Sequence, residues 1–229
     1  MSTLNSSPNQ GTALILGARS WIGYHLSSNL QNAGWVVRGT SSQNPDTDHS
    51  GFLQLSDEDT AKKCLKQVRP KLIVNLLIGT SETEFAIHQH LLRYAQECDA
   101  FYVFASSALA LDGYKNEPLL ESLEARSISD YGIFKGRCEQ LMRETSGCRS
   151  LVLRFSSIHG WSPYKATRTV GLFEKLRRGE KIQVSPGVIQ NRLSDQFLVD
   201  TIVSLIATRA TGVAHLGTDD KSEELDFLR

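Results

Sequence analysis

The chain has 229 residues, with 25 Lys and Arg against 25 Asp and Glu, so its formal net charge is zero. That length supports one domain with a sizeable core and a small appended lobe. The charge balance excludes the basic excess with which nucleic-acid binders neutralise phosphates. No apolar run reaches the length that crosses a membrane.

Residues 1–10 are polar, without the basic start and apolar centre of a secretion signal, and read as a disordered leader. The four cysteines, Cys64, Cys98, Cys138 and Cys148, are widely spaced. Without a Cys-x-x-Cys pair they predict neither a metal site nor a disulfide framework, which fits a reducing cytoplasm. Residues 12–16 are a short apolar run of strand length. They meet a glycine turn from Gly17 to Gly23, and residues 24–33 carry apolar side chains at helical spacing. Gly34 ends that helix, and a second strand begins at Trp35.

Strand, glycine turn, helix and strand form the βαβ context in which a dinucleotide fingerprint has meaning. Gly17 would allow the tight turn, and Gly23 would let helix and strand pack closely. The pyrophosphate would sit over the helix N-terminus, at Ser20, Trp21 and Ile22. Ser20 replaces the middle glycine, but it is small and can hydrogen-bond. At the tip of the second strand stand Arg38, Thr40, Ser41 and Ser42, with no acid before Asp46. An acid there would read a free ribose 2′-hydroxyl, whereas cations suit a 2′-phosphate. Arg19 in the glycine turn can reach the same place, so the cradle predicts NADP, with NAD as the other possibility. The alternative is that both arginines are simply solvated.

A third strand over 52–55 leads to an amphipathic helix over 57–68, with acids in its first turn and Pro70 as its stop. Residues 71–78 are nearly continuously apolar, as a parallel strand buried on both faces should be. Leu76 in this run is a further cofactor-side candidate. A helix over 82–97 and a fifth strand over 100–105 follow. His88 and His90 lie two apart in that helix and face different ways, so they predict no shared metal. The regular alternation predicts an α/β fold with a doubly wound parallel sheet.

The fifth strand runs into Ser106 and Ser107. Strand carboxyl ends carry the ligand in open α/β sheets. These serines could donate hydrogen bonds to a substrate carbonyl, or could cap a turn. After a loop comes a helix ending near Glu144 that stacks Tyr131 and Lys135 on one face. An ammonium beside a phenol lowers its pKa, so Tyr131 could pass a proton near neutral pH. Lys135 could also hold the hydroxyls of a cofactor ribose. Alone, the spacing is far more often that of an ordinary solvated pair. A sixth strand spans 150–155. Beyond it the sequence predicts a helix over 170–178, a turn and strand over 179–184, a helix over 195–209 and a late strand over 212–217.

Gly17-x-x-Ser20-x-x-Gly23, Ser106-Ser107, Tyr131-x-x-x-Lys135 and the run from Leu153 and Arg154 to Gly160 occur in an order and spacing that resembles the extended short-chain dehydrogenase/reductases. Residues 11–218 are most similar to the nucleotide-sugar epimerases and reductases, the dTDP-4-dehydrorhamnose reductase branch in particular. The resemblance implies a dinucleotide-binding Rossmann domain over 11–160. It also implies a small, abbreviated C-terminal substrate lobe over 161–229, partly interleaved with that domain. It assigns Ser107, with Ser106 beside it, to the substrate oxygen, Tyr131 to proton donation, and Lys135 to the nicotinamide ribose. His159, Lys165 and Arg192 become candidates for a diphosphate or sugar. The implied activity is NADP-dependent reduction of a keto group on a nucleotide-linked sugar. An epimerase of the same fold and a catalytically silent NADP-binding subunit are the alternatives. Four positions differ from the usual pattern: Ser20, Gln54, and the bulky Leu77 and Ile78. Relatives often dimerise through the helices flanking the fifth strand. Phe85, Leu92, Leu141 and Met142 would then supply apolar contact, unless they face the sheet.

Overall fold

The structure is a computed structural model that describes residues 10–41, 52–115, 118–160, 167–183, 189–219, 221–223 and 226. The leader at 1–9, Ser42 and Lys165 lie outside the described residues. Among the described residues, strands β1 (Gly11–Leu16), β2 (Trp35–Ser41), β3 (Leu53–Gln54), β4 (Leu72–Asn75), β5 (Phe101–Ala105) and β6 (Ser150–Phe155) form one sheet with a late strand, Gly212–Leu216. The order is β3-β2-β1-β4-β5-β6 and then the late strand, with every pair parallel. The chain winds outward from β1 to β3, then returns to place β4 against β1. That reversal falls at the carboxyl ends of β1 and β4, the usual ligand position in such sheets.

Alternation along the strands builds a core on each face. Ala13, Ile15, Leu72, Val74, Phe101 and Val103 face one side, with Leu26 and Leu30 of helix α1 (Trp21–Asn32). Leu14, Leu16, Ile73, Tyr102 and Phe104 face the other. They pack against α2 (Glu58–Val68), α3 (Glu82–Glu97) and α4 (Asp130–Glu144). The helices start where local chemistry dictates. Asp57 with Thr60, and Ser81 with Glu84, form reciprocal capping boxes at α2 and α3.

The C-terminal region is shared between the sheet and a smaller layer. Three short strands, β7 (Ser157–His159), β8 (Ile189–Ser194) and β10 (Lys221–Glu223), form a second sheet in the order β10-β8-β7. Helix α5 (Arg168–Arg177) precedes β8. The late strand, β9, joins the main sheet beside β6. Helix α6 (Asp195–Ala207) puts Leu198, Val199, Ile202 and Ile206 into the same core face as α1. The expected strand over 179–184 is not formed at the described residues 179–183; the strand comes later, at β8. Its polar Asn191, Arg192 and Ser194 gave no apolar alternation to read. No helix among the described residues is long and apolar enough to cross a membrane.

The four residues named for a dimer contact turn inward instead. Phe85, Leu92 and Met142 are buried against the sheet, and Leu141 packs partly buried against the same core.

Gly23 shows how tight the first βα unit is. A Cβ there would overlap the Gly17 carbonyl oxygen and come within 2.8 Å of the Ala18 Cα. Gly171 in α5 has nothing within 4 Å of such a Cβ. Alanine at the two sites should therefore act with opposite sign. Gly23→Ala should lower unfolding stability by about 1–3 kcal/mol through overpacking, and Gly171→Ala should raise it by about 1 kcal/mol through helix propensity. Denaturant titration of both variants checks this, and equal effects would contradict the packing described.

Candidate active site

The glycine turn leads directly into the N-terminus of α1. Gly17 has φ +76°, a conformation that glycine adopts without penalty. Ser20 caps α1: its Oγ accepts the Gly23 N–H at 3.1 Å. The amides of Trp21 and Ile22, at the first turn, have no acceptor within the helix, and the positive end of the dipole lies there. The Trp21 side chain points elsewhere, donating from Nε1 to Asp195 Oδ2 at 2.8 Å and tying the turn to α6. Leu76 closes the other side, its amide bonded to the Leu16 carbonyl and its own carbonyl 3.4 Å from where a Gly17 Cβ would stand.

At the tip of β2, Arg38 is exposed and Arg19 is half-buried. Thr40, expected to offer a hydroxyl, is only 1% exposed, because alternate residues of a strand face opposite ways. Gly39 lies against the Phe52 ring and the Ala18 methyl. Any phosphate cradle there rests on Arg19, Arg38 and the half-buried Ser41. Of the bulky pair, Ile78 projects outward with 72% exposure, and Leu77 packs on the core. Neither occupies the turn.

The candidate residues Tyr131 and Lys135 are carried by α4, and Ser107 by the turn it packs on. Ser129 caps this helix by accepting the Gly132 N–H at 3.2 Å. Asp112 Oδ1 accepts the Ile128 N–H at 2.7 Å and anchors the approach. Gly132 lets α4 close on a 3₁₀ turn, Ala108–Leu111, because a Cβ at Gly132 would overlap the Leu109 carbonyl. Gly136 does the same against Ala125, whose methyl would lie 2.7 Å away. The helix that carries Tyr131 is thus held against the turn that Ser107 caps. Ser107 Oγ accepts the Leu109 N–H at 3.2 Å, and its own hydrogen can serve another acceptor. Ser106 is not its companion. It is buried, and its hydroxyl donates to Glu139 Oε1.

Lys135 is 1% exposed. Its ammonium donates to the Leu77 and Ala105 carbonyls at 2.8 Å each, and Nζ lies 4.6 Å from the Phe104 ring centre and 5.5 Å from that of Tyr131. Burial lowers its pKa to about 8. The expectation for Tyr131 needs correcting. Burial raises its phenol above the ordinary value rather than the ammonium lowering it, because desolvation disfavours the phenolate. Tyr131 is a protonated phenol at neutral pH.

Behind α4 lies a charged cluster that the sequence reading did not assign. Glu139 and Arg154 form an ion pair at 2.6 Å, each side chain 1% exposed. Arg154 also donates to the Leu123 carbonyl and approaches His215 Nε2 at 3.2 Å. A guanidinium only donates, so His215 accepts there as the neutral ring, in keeping with a pKa that burial lowers. One signal was available: an arginine inside the apolar run of β6 demands a buried partner. Arg154, His215 and Asn191 also line a cavity of about 150 Å³ beside the 3₁₀ turn. A wider groove of about 500 Å³ runs along the outer face of α4. Neither Tyr131 nor Lys135 lines it, and its Arg137 and Arg143 are paired with Glu82 and Glu124. His159 and Arg192 serve the small layer: His159 Nδ1 lies 3.2 Å from Thr169 Oγ1, and Arg192 donates to the carbonyl and hydroxyl of Ser222.

The chain matches the family model described as the RmlD substrate binding domain over residues 11–229. It belongs to that family. Among solved structures, dTDP-4-dehydrorhamnose reductase from Bacillus anthracis, in complex with NADP, superposes with a TM-score of 0.80 at 19% identity, over 95% of this chain and 78% of that one. UDP-glucose 4-epimerase from Thermus thermophilus, in complex with NAD, gives 0.79 at 16% identity, over 95% and 81%. WbmG from Bordetella bronchiseptica, also with NAD, gives 0.81 at 14% identity, over 98% and 78%. None of the curated proteins searched matched the chain. The RmlD-family fold is thus the doubly wound dehydrogenase/reductase fold that the resemblance implied.

Proposed function

We propose that the chain is an NADP-dependent oxidoreductase that reduces a keto group of a nucleotide-linked sugar. The observation that carries this reading is α4 itself. Its packing on the Ser107 turn brings Tyr131 to the carboxyl end of β5, and Lys135 bridges the ends of β4 and β5 beside the glycine turn. The residues present suit a dinucleotide: the glycine turn admits close approach, the first amides of α1 face an anion, and Lys135 keeps a third ammonium hydrogen for a ribose hydroxyl.

A bound nicotinamide would supply the hydride. Ser107 would hold the substrate oxygen by a hydrogen bond, and Tyr131 would give its phenolic proton to that oxygen as negative charge develops there. The tyrosinate left behind would sit near the Lys135 ammonium. A phenol that starts protonated suits reduction better than an epimerisation begun by a tyrosinate base. The substrate side would lie toward the β7-β8-β10 sheet; the 150 Å³ cavity reaches the turn at Ala108 but is lined by neither Ser107 nor Tyr131.

Arg19 and Arg38 should make NADPH the tighter ligand. An arginine–phosphate contact contributes about 1.5–3 kcal/mol, or roughly ten- to a hundredfold in affinity. Fluorescence titration of NADPH and NADH against the wild type and an Arg19→Ala/Arg38→Ala double variant measures it. Equal wild-type affinities would remove the preference. A screen of 4-keto nucleotide sugars for loss of NADPH absorbance tests the activity. Tight NADPH binding with no substrate turned over would point to a catalytically silent subunit.

A further inference from the structure

A chain of buried hydrogen bonds leaves α4 at Cys138 and returns to it at Lys135. His88 Nε2 lies 3.2 Å from the Cys138 carbonyl. Tyr102 OH lies 2.8 Å from His88 Nδ1. Asn75 Nδ2 donates to Tyr102 OH at 3.0 Å, and Asn75 Oδ1 accepts the Leu77 N–H at 3.1 Å. The Leu77 carbonyl then accepts from Lys135 Nζ.

The proton positions in this chain have one consistent solution. A carbonyl only accepts, so His88 carries its hydrogen on Nε2, and Nδ1 must accept. Tyr102 therefore donates to His88 and uses its lone pair for the Asn75 amide. Asn75 must turn its oxygen to Leu77. His88 is held neutral, its pKa lowered to about 4 by burial, and burial raises the Tyr102 phenol well above its ordinary value. Neither group changes charge near neutral pH, so the direction of every bond is stable. Asn75, His88 and Tyr102 are all nearly inaccessible. A polar group buried among Phe85, Phe104 and Phe134 is costly unless it is satisfied.

We infer that Asn75, Tyr102 and His88 form a positioning relay that fixes the Leu77 backbone and, through the carbonyl of that residue, the ammonium of Lys135. The catalytic meaning rests on the function proposed above, but the relay itself can be tested without cofactor. The relay holds the Leu77 N–H where β4 leaves the sheet, and the carbonyl of the same residue, in the next peptide, supplies one of the two backbone acceptors of Lys135. Releasing it leaves the ammonium with Ala105 alone in the same buried setting, which disfavours the charged form. Glu84 and Glu139, whose charges also bear on Lys135, are untouched, and the buried Cys138 thiol, pushed up to about 12, stays neutral.

The test labels lysine Cε with ¹³C and follows the Lys135 signal, assigned by its loss in Lys135→Met, through a pH titration. Tyr102→Phe and Asn75→Ala each break the relay, so either carries the test if the other does not fold. In both, the Lys135 midpoint should fall by roughly half a unit or more, and amide exchange at Leu77 should quicken. Val103→Ala, on the same strand but outside the relay, loses buried packing and should move neither readout. An unchanged midpoint in the folded relay variants, or an equal shift in Val103→Ala, would overturn the relay. If the midpoint shifts as expected but the wild type fails to bind NADPH or NADH, the relay stands and the proposed function falls.

Discussion

Tyr131→Phe should lower turnover roughly a hundred- to ten-thousandfold if Tyr131 is the proposed proton donor, the usual loss when a general acid is removed, and should leave cofactor affinity nearly unchanged. The ring stays, so packing at the start of α4 is kept; only the proton goes. The cofactor is assigned to the glycine turn and Lys135, not to the phenol. Lys135→Ala should separate from it by weakening cofactor binding as well as turnover. Ser107→Ala should lower turnover alone, because its hydroxyl is assigned to the substrate oxygen. Once the substrate screen has supplied a reaction, steady-state kinetics and cofactor titration on the three variants give the comparison. Wild-type turnover by Tyr131→Phe would end its assignment as proton donor.

Arg154→Met destabilises the protein by about 3–5 kcal/mol, because it strands the Glu139 carboxylate in the interior. For a chain of this size that is a fall of roughly 10 °C in melting temperature. The Arg154 and Glu139 side chains are each 1% exposed, so water cannot replace the lost partner. Arg143→Met provides the contrast. Its pair with Glu124 joins side chains that are 45% and 80% exposed, and such pairs contribute about 0–1 kcal/mol. Removing both buried charges, as Arg154→Met/Glu139→Leu, should recover part of the loss, since the greater cost lies in the unpaired ion. Ser106, which donates to Glu139, then loses its acceptor, so recovery is incomplete. Thermal unfolding followed by circular dichroism makes the comparison. Equal shifts for Arg154→Met and Arg143→Met would show that the buried pair has no special weight.

Local chemistry made much of the fold legible. The apolar run after Pro70 announces β4 because a central parallel strand is buried on both faces, and all four residues of β4 are buried. Helix α3 spans Glu82–Glu97, as its apolar spacing predicts, with Ser81 and Glu84 closing its start. Gly17 and Gly23 could be read as the turn and the close contact, since few residues fit either role. Tyr131 and Lys135 share a face because four residues are about one helical turn.

Long-range partners decided the rest. Ser106 and Ser107 are indistinguishable in sequence, yet only Ser107 caps the 3₁₀ turn, while Ser106 turns in to a carboxylate 33 residues away. Phe85, Leu92 and Met142 fit a sheet face or a partner helix equally well by periodicity, and only the assembled layers place them on the sheet. The rise in the Tyr131 pKa needed the same knowledge. Spacing puts an ammonium nearby, but burial and the two carbonyls that hold Lys135 are tertiary facts. Nothing local marks Asn75, His88 and Tyr102 as one chain either. They come from two strands and a helix, and hydrogen bonds between them exist only once the sheet is closed on α3 and α4.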